Sequence, residues 1–246
     1  MDRLYVLDMP ALANFEADGK IIEYICDHFH KYDCDQVVRT DNLSKYGKTS
    51  GILKVIPISS VEHTREWLKT NFHTSLKPIE LPEVLMKYSP GYQKLTGEKL
   101  LKLGYDNDKY FIKRIDKMKS WTSLMNPYES ARPHISKNGL YAISPIHFIL
   151  AEYRLFIYYN EILGCQCYSG SPIRFPNTET IYKMIYEYSF TTAPKAYTLD
   201  IMVTPEATIP LEVHPFVACG LYGFQDIKLL DMWEKGLDWY IKKEGE

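Results

Sequence analysis

Apolar residues along this chain fall into short runs and helical faces whose order changes character about a third of the way through. Leu4–Leu7 is an apolar run of strand length. Ala17–Tyr32 then places Ile21, Ile25 and Phe29 at i, i+4 and i+8, which is one face of a helix. Gln36–Thr40 and Ile52–Ile58 again have strand patterns, and Ser59 with Glu62 has capping-box spacing ahead of a helix around Thr64–Asn71. Strand, helix, strand, strand, helix predicts an α/β layer. Leu76–Pro90 holds Pro78, Pro82 and Pro90, which suits a linker into a new unit.

Beyond that linker the pattern predicts antiparallel strands with helices, an α+β arrangement. Lys109–Ile115, Leu140–Leu150 and Glu152–Tyr158 are predicted strands. A turn at Asn160-Glu161 folds Ile162–Tyr168 back as a hairpin. A helix near Thr178–Tyr188 carries Ile181, Met184, Ile185 and Tyr188 on one face. Tyr197–Thr204 and Thr208–Val213 form a second hairpin about Pro205-Glu206-Ala207. A final helix from about Asp226 to Lys242 spaces Leu229, Leu230, Trp233, Leu237 and Ile241 helically.

Composition narrows the classes. The chain has 246 residues, 46% hydrophobic and 24% charged, which excludes disorder, collagen and coiled coil. Its net charge of −2 supplies no global basic field for nucleic acid or anionic lipid. No apolar run reaches the roughly 18 residues of a membrane span, and the start lacks the pattern of a signal peptide. Five cysteines, an odd number without zinc-like pairing, are expected as reduced thiols in a cytoplasmic protein. Cys165 and Cys167 share one strand face as packing residues.

Three places can carry chemistry. If the second hairpin turns about Glu206, Asp200 lies directly opposite Glu212, and Glu212 shares its face with His214. Facing carboxylates repel unless a cation lies between them, and a divalent metal is one answer. A carboxylate turned to solvent or paired with an arginine is the other. Lys109–Lys119 holds five basic residues, with Lys113 on the face of Phe111 and Ile115. An inward lysine needs an anion such as phosphate, whereas a solvated charge run needs nothing. Glu152 and Arg154 share a strand face with Phe156, where a guanidinium can grip a carboxylate or phosphate, or serve in a structural salt bridge. No glycine-rich phosphate loop of the P-loop or Rossmann kind is present.

In order, these pieces are Tyr110-Phe111-Ile112-Lys113, Glu152-Tyr153-Arg154-Leu155-Phe156, Leu199-Asp200-Ile201, Leu211-Glu212-Val213-His214-Pro215-Phe216 and Gly220-Leu221-Tyr222-Gly223. Over roughly Pro78–Gly236 they resemble the ATP-grasp superfamily of ligases, and most nearly a small clade of bacterial and phage members. The resemblance implies an α/β pre-ATP-grasp domain over residues 1–77 and an ATP-grasp domain over 78–246, two α+β subdomains clasping ATP. It implies Lys113 on the nucleotide phosphates and Lys119 in a loop closing over them. Ser144-Pro145-Ile146 would be the hinge contacting adenine through its backbone, with Glu152 on the ribose. Arg154 would steady the transferred phosphoryl group, and Asp200 and Glu212 would hold Mg²⁺.

Two departures stand out. His214 replaces the usual asparagine, a poorer partner for a hard cation, which leaves Mn²⁺ or a role through water open. The loop Arg114–Ser123 has no glycine. The implied activity is an ADP-forming carboxylate–amine ligase acting through an acyl-phosphate on a small molecule, amino acid or peptide. A nucleotide-binding module without ligation, or another phosphotransferase on the fold, are the alternatives. A nucleic-acid partner has only the Lys109–Lys119 cluster behind it, and oligomeric state does not follow from the sequence.

Overall fold

The computed structural model describes residues 2–14, 16–28, 35–77, 80–103, 110–117, 122–124 and 132–242. Phe29, Pro78, Lys109 and Lys119 therefore lie outside the described residues. The N-terminal part is a sheet of β1 (Arg3–Asp8), β2 (Gln36–Thr40), β3 (Thr49–Ser50) and β4 (Leu53–Ile58) in the order β2-β1-β4-β3. β1 pairs in parallel with both β2 and β4, while β3 closes the edge antiparallel. Helices α1 (Met9–Ala13), α2 (Glu16–His28) and α3 (Val61–Phe72) accompany the sheet. Leu4 to Leu7 are buried without alternation, as a central parallel strand covered on both faces requires. Ile22 and Ile25 of α2 and Trp67 and Leu68 of α3 belong to the same core.

The α3 cap differs from expectation by one residue. Ser60, not Ser59, accepts the His63 amide at 3.2 Å, whereas Ser59 Oγ donates to Asp8 Oδ2 at 2.5 Å. Adjacent serines leave the choice to tertiary contacts: Ser59 is drawn into the sheet by a buried carboxylate.

Two antiparallel sheets follow. One has the order β5-β8-β6-β7, from β5 (Gln93–Thr96), β6 (Tyr110–Arg114), β7 (Thr122–Leu124) and β8 (Leu140–Pro145), with the short α4 (Gly97–Lys102) beside it. The other has the order β10-β9-β11-β12, from β9 (Ala151–Tyr158), β10 (Glu161–Gly170), β11 (Ala196–Val203) and β12 (Thr208–Pro215). β8 stops at Pro145 rather than running to Leu150, because proline brings no N–H to the ladder. Tyr159 and Asn160, both at positive φ, make the β9–β10 turn one residue earlier than expected.

Alternation sorts β9 cleanly. Tyr153, Leu155 and Ile157 pack with Ile181, Met184, Ile185 and Tyr188 of α5 (Thr178–Ser189). Glu152, Arg154 and Phe156 face the other way, with Phe156 in the core shared with the N-terminal sheet. α6 (Leu229–Lys242) contributes Leu230, Trp233 and Leu237 to that same core. It begins at Leu229 rather than Asp226, whose side chain instead accepts the Lys228 amide at 2.7 Å. At Gly236 a Cβ would lie 2.3 Å from the Phe216 carbonyl oxygen, so α6 approaches the backbone that follows β12 as only glycine permits.

Ion pairs tie α6 to the edge of the first sheet. Arg3 reaches Asp231 at 2.5 Å, and Lys54 reaches Glu234 at 2.7 Å and Asp238 at 2.6 Å. The segments 1–77 and 78–246 thus meet across one continuous core. Among the described residues, no helix is long and apolar enough to cross a membrane.

Candidate functional site

The two antiparallel sheets enclose a cavity of about 650 Å³. From one side β6 presents Phe111 and Lys113, followed by Ile115, and β8 presents Ala142 and Ser144. From the other come Glu152, Asp200, Met202 and Glu212. Pro145 to Ile149 connect the two walls. Period-two alternation explains the first wall: Ile112 points away into a small core with Leu100, Tyr141 and Ile143. Arg114 lies outside as well, bound to Asp116 at 2.7 Å, and Lys117 is exposed. Within the basic run, Lys113 is therefore the described residue that enters the cavity.

Asp200 is opposite Glu212 across β11 and β12, and opposite Arg154 across β11 and β9. One rung of three strands therefore carries Arg154, Asp200 and Glu212. The register between β11 and β12 shifts beyond Asp200, with Ile201 opposite Pro210, so Leu211 is a bulged residue that also lines the cavity. A second bulge between Cys167 and Ser169 in β10 aims Tyr168 into the same space.

Each carboxylate has a cation. Arg154 donates from Nε and Nη2 to the two oxygens of Asp200, both at 2.7 Å, and from Nη1 to the Gly220 carbonyl at 3.1 Å. Lys113 Nζ donates to Glu212 Oε2 from the facing sheet. His214 Nε2 lies 3.7 Å from the other Glu212 oxygen. Burial, reinforced by Glu212 and Glu152, raises the Asp200 carboxyl above its ordinary value against the pull of Arg154. Burial also presses on Glu212, but Lys113 and His214 outweigh it and hold that carboxyl low. Burial lowers His214 to about 4, with Arg154 and Lys113 adding to the effect, so its imidazole is neutral at pH 7.

Two expected residues among the described ones, Arg154 and His214, do not line the cavity. The guanidinium of Arg154 is buried, donates to Asp200 and Gly220, and is not among the residues that line the cavity. His214 is not among the lining residues, and Lys119 is outside the described ones. Among the described residues, no group of three or more His, Cys, Asp or Glu side chains is placed to hold a metal ion. The donor set suits a hard cation through two carboxylates, Asp200 and Glu212, and the imidazole adds nothing hard.

Two lining residues carried no sequence signal. His147 has its Nε2 buried without a partner among the described residues, which a polar ligand in the cavity would satisfy. Tyr168 stacks on Tyr222 at 4.9 Å. Its phenol is held well above the ordinary range by burial, then by Asp200 and Glu152, so it stays neutral.

A family model of the ATP-grasp domain, the second family of its clade, matches residues 94–232, more than half of the chain. The chain belongs to that ATP-grasp family. Its matched region spans both sheets of the cavity and the rung that carries Arg154, Asp200 and Glu212. No curated protein matches the sequence. Among solved structures, D-alanine–D-alanine ligase from Bacillus anthracis is similar at 14% identity, with 100% of each chain covered and a TM-score of 0.59. N5-carboxyaminoimidazole synthetase from Staphylococcus aureus is similar at 10% identity over 95% of this chain and 77% of that one, with a TM-score of 0.62. The ATP-grasp ligase PsnB, solved with a minimal precursor, is similar at 10% identity over 97% and 100% of the two chains, with a TM-score of 0.57. These likenesses concern the ATP-grasp fold. Both the superfamily resemblance and the mixed α/β and α+β class hold.

Proposed function

We propose that this ATP-grasp protein is an ATP-dependent, ADP-forming carboxylate–amine ligase acting on an amino acid or peptide through an acyl-phosphate. One observation carries the reading: Lys113 from one sheet and the Asp200–Glu212 rung from the other meet in a single cavity of about 650 Å³. That volume is within the range of about 300–1,000 Å³ typical of small-molecule sites. Lys113 binds the nucleotide phosphates, the backbone at Ser144 and Ile146 receives adenine, and Glu152 takes the ribose hydroxyls. Lys119 belongs to the segment that closes over the phosphates. Asp200 and Glu212 are the residues that would hold Mg²⁺, which would neutralise phosphate charge when bound. Arg154 acts on the site through Asp200, by fixing its carboxylate, and is a positioning residue.

In the reaction the substrate carboxylate oxygen attacks the γ-phosphorus and ADP leaves. The amine then attacks the acyl carbon, phosphate departs with that oxygen, and the proton lost from nitrogen passes to the departing phosphate or to solvent. Peptide substrates draw support from PsnB and from the macrocyclase MdnC, whose structures are described as holding a precursor and a precursor peptide. A nucleotide-binding module without ligation is favoured by one feature, the engagement of both Asp200 oxygens by Arg154. A screen for ADP release across amino acids and peptides, with mass analysis of products, separates the two. Product-coupled ADP supports ligation, whereas ATP binding without ADP release under every mixture supports the module.

A further inference from the structure

The carboxylates suited to a divalent metal are already engaged by cations of the chain itself. Arg154 donates to both oxygens of Asp200 at 2.7 Å. Lys113 Nζ donates to Oε2 of Glu212, and the other Glu212 oxygen lies 3.7 Å from His214 Nε2. These two cations are held differently. Arg154 is beside Asp200 in the same sheet, β9 in register with β11, and 7% of its side chain is exposed. Lys113 reaches Glu212 from β6 of the facing sheet, and the two side chains are 29% and 21% exposed. The backbone of Lys113 is paired with Thr122 and Ala142, so its ammonium moves by side-chain torsions on a flexible stem, without loss of a ladder bond. Arg154 is fixed, whereas Lys113 is releasable.

A divalent cation on Glu212 Oε2 must displace that ammonium, because both need the same lone pairs and like charges so close repel. A phosphate offers the ammonium another anion, and Lys113 is the one lysine or arginine among the described residues that line the cavity. We propose that Lys113 is the resident cation of the metal site: in the nucleotide-free protein it closes Glu212 to metal, and nucleotide phosphate draws it off. Metal then enters with the nucleotide and not ahead of it. The inference rests on the reading of this cavity as the nucleotide site. Engaging Lys113 favours phosphate and freeing Glu212 favours metal, so each ligand assists the other through one side chain. An ion pair that merely held the sheets together would behave otherwise, since its removal would loosen the site for both ligands.

The test titrates Mn²⁺, as the probe of a hard divalent site, into full-length protein without nucleotide, and the resonance of the free ion reports binding. Tripolyphosphate without metal is titrated separately by calorimetry. Lys113→Met should bind Mn²⁺ at least about tenfold more tightly than the parent, the scale of one charged hydrogen bond removed from the competing side. The same substitution should weaken tripolyphosphate binding, so the two affinities move in opposite directions. Lys113→Gln repeats the measurement with a polar neutral side chain if the methionine variant folds poorly. Lys113→Arg keeps the charge and should leave Mn²⁺ affinity close to that of the parent. Adding Glu212→Gln to Lys113→Met should abolish the gain, which ties it to that carboxylate. Mn²⁺ affinity no higher than the parent's in both neutral variants overturns the proposal. So does a gain that survives Glu212→Gln or that Lys113→Arg matches. None of these titrations involves turnover. Amide formation without a gain in Mn²⁺ affinity refutes the resident cation and leaves ligation standing, whereas a gain without ADP release does the reverse.

Discussion

Replacing Arg154 with methionine isolates the interaction on which the rung depends. The side chains of Arg154 and Asp200 are 7% and 4% exposed, and two hydrogen bonds of 2.7 Å join them. Arg154→Met strands a buried carboxylate that already feels Glu212 and Glu152. Losing one partner of a buried pair costs about 3–5 kcal/mol. At about 2–4 °C per kcal/mol for a chain of this size, Tm should fall by roughly 6–20 °C. The deficit should also depend on pH. In the fold the Asp200 carboxyl lies above its ordinary value, so protonation favours the folded state. Arg154 is the group that pulls this carboxyl down, so in Arg154→Met it lies higher still. The support is complete below the ordinary carboxylate value in both proteins. More of it is lost in the variant as pH rises through the raised values, so the deficit should widen toward neutrality. Asp200→Leu in the same chain should recover much of the loss, because no unpaired charge remains. Urea unfolding and calorimetry on the two single variants and the double variant measure this coupling. An Arg154→Met protein within about 0.5 kcal/mol of the parent, or losses that simply add, would refute the reasoning.

Other consequences are open to direct measurement. Lys113→Met should weaken ATP binding by tenfold or more in equilibrium titration, the scale of a lost charged hydrogen bond of about 1.5–3 kcal/mol. Asp200→Asn and Glu212→Gln should each lower turnover by about a hundredfold or more, measured per folded molecule with Mg²⁺ saturating. Glu234 is held down to about 2, burial being outweighed by Lys54 and Lys235. Its stabilisation is present above the ordinary 4.5 and is lost as pH falls toward 2. The Tm difference between parent and Glu234→Gln should accordingly vanish across that acid window. Gly236→Ala should destabilise by roughly 1–3 kcal/mol in urea unfolding, because its Cβ meets Phe216 backbone rather than a yielding side chain.

Local periodicity made much of the fold legible, and the failures have local causes. Placing Asp200 opposite Glu212 assumed a turn centred on Glu206. The turn instead pairs Val203 with Thr208, half a residue earlier, and the bulge at Leu211 restores the register at Asp200. Two offsets cancel there. Periodicity put Lys113, Phe111 and Ile115 on one face, and all three line the cavity. It also put Arg154 on the face of Glu152, but could not show that β11, which follows α5 in the chain, brings Asp200 alongside. Tyr168 was hidden because a bulge breaks the alternation that would place it. The Asp8–Ser59–His63 cluster joins the ends of β1 and β4 with the start of α3, and no spacing rule connects residues 8 and 59.

The central claim is transfer of the γ-phosphoryl group to a carboxylate, followed by amide formation. Supplying the acid substrate with ¹⁸O in its carboxylate, together with ATP and an amine, tests it most directly. The account predicts ADP, phosphate and amide in equal amounts, with one ¹⁸O carried into the phosphate because the acyl oxygen leaves with phosphorus. Formation of AMP and pyrophosphate, or ADP release with unlabelled phosphate and no amide, would contradict it.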